Sequence, residues 1–172
     1  MAISIEDNYT SAIEPDWERE RPRRFWDPGR KLLLSLRTYQ KWKKRKGKIA
    51  KLICKYCVFR HIFWSTVSGA DIPLNCNIGG GLLIPHPNGI VIHPDAIIGV
   101  NCLINHQVTI GTTRAGGVPE IKGHVDIGAG AKIIGSVVIE DHVQIGANAV
   151  VTKDVAKNEI VVGIPAKVVS SI

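Results

Sequence analysis

Two histidines stand out among the side chains able to move a proton: His86, in IPHPNGIV, and His106, in NHQVTIG. An imidazole titrates near neutral pH, so either could take the proton of a hydroxyl as that oxygen attacks an electrophile. On spacing alone His86 reads equally well as an ornament on a surface corner, and both readings stay open at this point. His93 and His124 read as corner residues and His142 as an exposed one; none of the three is assigned a role. The cysteines offer less. Cys76 and Cys102 fall where a small buried residue is wanted. Cys54 and Cys57 form a CxxC with no second pair to complete a zinc site, so no metal is expected.

The elements that must position these histidines announce themselves by a spacing of six. Aliphatic residues recur at Ile72, Ile78 and Ile84, then Ile92, Ile98, Ile104 and Ile110, and again from Ile121 through Ile127, Ile133, Ile139 and Ile145 to Val151. The fifth residue of these hexads is usually small or β-branched, as at Cys76, Ala96, Cys102, Val125, Ala131 and Ala149. A period of six fits neither a helix nor an isolated strand. It fits a mainly β fold, a parallel β-helix in which each hexad forms one side of a triangular coil.

The ladder breaks twice. Ile84 to Ile92 is two residues too long, and Ile110 to Ile121 is five too long, giving the loop TTRAGGVPE. Insertions in a solenoid project from its surface and commonly build binding sites. Counting three hexads per coil puts Ile84, Ile104, Ile127 and Ile145 on one face. Their third residues, His86, His106, Ala129 and Ala147, then stack about 4.8 Å apart in one column.

Charge divides the chain. Residues 1–60 hold 16 Lys/Arg against 7 Asp/Glu, whereas residues 61–172 hold 6 against 8. We therefore expect a basic helical region over 1–65 and the β-helix over 66–172. Pro28 suits a helix start, and Leu32, Leu33, Leu36 and Tyr39 form a stripe at helical spacing. A second apolar stretch, from Ile49 to Val58, is interrupted by Lys51 and Lys55 and is no membrane span. The start lacks the pattern of a signal peptide, so a cytoplasmic location is expected. The run KWKKRKGKIAK suits the inner face of an anionic membrane or, equally, a solvated helical face; nothing resembles a base-reading motif, so no nucleic acid is expected.

Residues 70–169 resemble the hexapeptide-repeat acyltransferases, in their serine acetyltransferase-like branch. The matching stretches are ADIPLNCNIGGGLLIPHPNGIVIHPDAIIG, NHQVTIGTT, IGAGAKIIGSVVI, IGANAVVTKDV and VVGIPAKVV. The resemblance implies a left-handed β-helix, a homotrimer, and acetyl-CoA bound in the groove between subunits. It makes His86 the general base and Asp71, fifteen residues earlier, its orienting carboxylate. His106 is the rival base or an assisting residue, with Asn105 and Pro85 beside the acceptor. Family members place small alanines along the cofactor arm where Ala129 and Ala147 stand. Gly111 and Thr112 match cofactor contacts, and Gly163 to Lys167 matches the closing motif whose lysine approaches the phosphates.

The chain also departs from that family. Pro85 replaces an aspartate that helps hold the amino acid, and Gly117 and Val118 replace an arginine–histidine pair. A zwitterion needs charged partners for both ends. The acceptor expected is therefore a sugar hydroxyl in polysaccharide assembly, lipid-linked or free, with serine O-acetylation as the alternative. A reading of another class is a non-catalytic scaffold or a carbonic-anhydrase-like zinc protein, which would require three converging histidines.

Overall fold

The computed structural model describes residues 10–171; residues 1–9 of the expected N-terminal region lie outside the described part. A short 3-10 turn, Trp17–Arg19, leads to helices α1 (Pro28–Lys43) and α2 (Lys48–Ser68). Pro28 opens α1, where its missing N–H costs nothing. Gly69, with φ 67°, ends α2 in the left-handed conformation that glycine adopts without penalty. The helix thus runs three residues past the division expected at residue 65.

Thirteen short strands follow among the described residues. One face of the prism stacks β2 (Val91–Ile92), β5 (Thr109–Gly111), β8 (Lys132–Ile134) and β11 (Val150–Val151). A second stacks β1 (Asn77–Ile78), β3 (Ile97–Ile98), β6 (Glu120–Ile121) and β9 (Val138–Ile139). The third stacks β4 (Leu103–Ile104), β7 (Asp126–Ile127), β10 (Gln144–Ile145) and β12 (Glu159–Val162), and ends on the antiparallel β13 (Lys167–Ser171). Every other strand pairing is parallel, and with the single-residue bridges Leu83–Leu103 and Ile139–Val155 counted the chain visits the three faces in rotation. This is a three-sided parallel β-helix.

The hexad aliphatics point inward. Ile104, Ile110, Ile127, Ile133 and Ile139 are fully buried, and the fifth residues from Cys76 to Val155 fill the space beside them. Each such aliphatic contributes about 1.5–3 kcal/mol by leaving water. Burial pushes the Cys76 and Cys102 thiols up to about 12, so both stay protonated packing groups at neutral pH.

A solenoid must close its ends. The first coil leaves backbone groups with no coil before them, and the helical head supplies their partners. Arg37 donates from Nη1 to the Ile78 carbonyl and from Nη2 to that of Gly79, both at 2.6 Å. Gln40 donates to the Cys76 carbonyl at 3.0 Å, and His61 Nε2 to that of Ile72 at 2.8 Å. Glu20, ion-paired to Arg37 at 2.7 Å, accepts from the Leu82 N–H. Leu32, Leu33, Leu36 and Trp64 share one buried cluster with Ile72 and Ile84. The basic head is therefore the plug of the coil.

Candidate active site

The third face carries the expected column. Leu83 bridges Leu103, Ile104 pairs with Ile127, and Ile127 with Ile145. The residues two places further on therefore sit at successive turns of one corner. His86 and His106, both exposed, meet edge to face with ring centroids 6.2 Å apart. Ala129 and Ala147 follow on the next two coils. The corner turns tightly: Gln107, Gly130 and Asn148 take φ values of 58°, 74° and 58°.

His86 also walls a cleft of about 350 Å³ between the coil and the helical head, with Pro85, Asn88, Ser68, Asp27 and Arg30. Asp27 and Arg30 pair at 3.5 Å, with side chains 16% and 19% exposed. Arg30 Nε is fixed by the Arg19 carbonyl at 2.9 Å, and Asp27 Oδ2 accepts from the Arg23 N–H at 3.1 Å. Both charges are thus held in place. Sequence reading missed them, because they begin a helix that looked like part of an appendage; Pro28 between them was the available signal. A larger hollow of about 520 Å³ lies beside Lys43, Leu74 and Asn75 but contains neither histidine, so chemistry rather than size assigns the site.

The other expected residues fall as follows. Asp71 is exposed on the first coil and bridges Val91; among the described residues no hydrogen bond joins its side chain to His86. Asn105 donates its amide to the Ile127 carbonyl at 3.1 Å, which ties it to the next coil. Gly111 sits in β5 and accepts from the Gly135 N–H at 3.0 Å, with Thr112 exposed beside it. The turn from Gly163 to Lys167 folds against β11, since Val150 donates to the Gly163 carbonyl and Ala166 to that of Val150. That places the turn near Ala147, at the end of the column away from the histidines.

His142 is a correction. It was expected to be exposed, yet it is 9% exposed, and its Nδ1 lies 2.8 Å from Nδ1 of His124. Both occupy left-handed corner positions of adjacent coils, with φ of 62° and 52°, so strand stacking brings their rings together. Among the described residues no group of three His, Cys, Asp or Glu is placed to hold a metal.

No family model matches the chain. Individual relatives do. A serine acetyltransferase of Synechococcus elongatus is 41% identical over 106 residues, 60% of this chain and 43% of that protein. A solved serine acetyltransferase in complex with CoA matches at TM-score 0.69 and 29% identity, over 84% of this chain and 57% of that one. The soybean serine acetyltransferase complexed with serine matches at TM-score 0.69 and 32% identity, over 83% and 57%. The chain spans about half the length of these relatives. In sequence and in coil geometry alike, the chain is similar to the serine acetyltransferases over about half of their length.

Proposed function

We propose that this protein is an acetyl-CoA-dependent O-acetyltransferase whose acceptor is the hydroxyl of serine. The observation that carries the reading is the joining of His86, Asp27 and Arg30 in one cleft. Serine brings an ammonium and a carboxylate, and a fixed carboxylate and guanidinium are the partners these need. This reading takes the alternative over the sugar acceptor that Pro85, Gly117, Val118 and the basic head had suggested, because Asp27 and Arg30 of α1 line the same cleft as His86. The relatives also support serine, as the soybean protein was solved with it.

Acetyl-CoA supplies a thioester, whose acyl carbon takes the hydroxyl oxygen and whose sulfur leaves as the thiol. His86 takes the hydroxyl proton as the carbon–oxygen bond forms and returns it to the departing sulfur. His106, one coil away, borders the same reacting position and assists. Asp71 is the carboxylate that orients and charge-stabilises the His86 ring once the assembly is complete. Ala129 and Ala147 leave the corner shallow, so a narrow pantetheine arm runs along it from Gly111 and Thr112 toward the turn at Gly163 and Lys167. The same kinship carries the left-handed sense of the coil and a homotrimer with sites between subunits.

An acceptor screen tests the reading. Thiol release from acetyl-CoA should saturate with L-serine and stay at background with free, nucleotide-linked and lipid-linked sugars. A saturable sugar with serine at background contradicts it.

A further inference from the structure

Helix α2 (Lys48–Ser68) has two apolar faces. One, with Ala50, Cys57, His61 and Trp64, is buried against α1 and the first coil. The other is bare. Ile49, Leu52, Tyr56, Phe59 and Phe63 are 72%, 69%, 60%, 71% and 47% exposed. Their spacing of three and four residues places them on one stripe about half a turn from the buried face. Five large apolar groups in one exposed line are a recognition surface.

Charge decides what covers it. Lys48, Lys51 and Lys55 flank one side of the stripe and Arg60 the other, and α2 contains no Asp or Glu. The turn into α2 adds the exposed Lys44, Arg45 and Lys46. Two copies of α2 laid face to face would set lysine against lysine. An anionic lipid surface matches both features at once: the stripe enters the acyl boundary while the long basic stems keep their charges at the headgroups. No described helix is long and apolar enough to cross a membrane, so the contact is peripheral.

We propose that the outer face of α2 docks the protein on an anionic lipid bilayer, with the Ile49–Phe63 stripe in the interface and the flanking lysines on the headgroups. The surface lies apart from the His86 cleft, so the proposal stands independently of the acceptor's identity.

Co-sedimentation of the full chain with vesicles tests it. Vesicles of phosphatidylcholine with phosphatidylglycerol should bind at least about tenfold more tightly than phosphatidylcholine alone at low salt, and the difference should shrink in added salt. Lys51→Gln with Lys55→Gln should weaken binding about fivefold per residue. Phe59→Ser with Phe63→Ser should abolish binding while leaving the sedimentation mass and acetyl transfer unchanged. Equal, negligible binding to both vesicles overturns the proposal. So does a drop in oligomer mass in the phenylalanine variant, which would make the stripe a contact between copies of the chain.

Discussion

His86 and His106 stand edge to face, with ring centroids 6.2 Å apart, although each belongs to a different coil. The coil spacing brings them together, and His86 lines a cleft that also carries the opposed charges of Asp27 and Arg30. His86→Ala should lower acetyl transfer roughly 10²–10⁴-fold, as expected for loss of a positioned base, with the melting temperature nearly unchanged because the residue is exposed. His106→Ala should cost less. If the larger loss belongs to His106, the roles are exchanged.

Ala129 and Ala147 continue the corner beyond the histidines. A phenylalanine at position 147 would stand in the path assigned to the pantetheine arm. Ala147→Phe should weaken acetyl-CoA binding about tenfold or more, since steric misfit of this kind costs about 1–3 kcal/mol. Binding measured by calorimetry would check this, and unchanged affinity would move the groove to another corner.

Asp27 and Arg30 are given the two ends of the amino acid. Asp27→Asn keeps an acceptor for the Arg23 N–H but removes the charge. The KM for serine should rise about tenfold or more, the scale of losing one charged hydrogen bond, while the KM for acetyl-CoA stays put. Steady-state kinetics with each substrate varied in turn separates the two; a parallel rise in both would assign Asp27 a structural role only.

The plug of the coil depends on Arg37, which serves Glu20, Ile78 and Gly79 together. Arg37→Ala strands a carboxylate whose side chain is 7% exposed and frees two carbonyls, and should cost about 3–5 kcal/mol in denaturant unfolding. A loss under about 1 kcal/mol would mean that the head does not close the coil.

Acid should loosen the same plug. Burial holds the His61 imidazole below its ordinary value of 6.5, although the Ile72 carbonyl and Asp71 oppose the shift. Burial lowers His124 in the same sense. Unfolding therefore takes up protons at these sites, so their stability is intact above about pH 6.5 and is lost as pH falls toward the lowered folded values. The melting temperature should drop between pH 7.5 and 5.5, and His61→Gln should reduce that drop. An equal drop in the variant would remove His61 from the account.

The coil was legible because one rule repeats in it. Ile104, Ile127 and Ile145 are spaced by geometry, so counting hexads places His86 and His106 in one column before any contact is seen. The plug was not legible, since Arg37, Gln40 and His61 meet carbonyls of a coil that sequence spacing does not relate to them. The cleft beside His86 escaped for the same reason. Pro85 and Val118 are local departures that suggested a neutral site, while Asp27 and Arg30 share a cleft with His86 because α1 packs across Ile84. His142 was misjudged because its exposure depends on a neighbour one coil away. Periodic, local features can be read from sequence, whereas contacts between the head and the coil require the fold.

Incubating the full chain with carbon-13-labelled acetyl-CoA and L-serine, and following the products by NMR, tests the central claim most directly. The account predicts a labelled acetyl ester on the serine oxygen, formed at a rate that saturates with serine and collapses in His86→Ala. Absence of that ester, with labelled acetyl appearing on a sugar hydroxyl supplied in the same mixture, would contradict it.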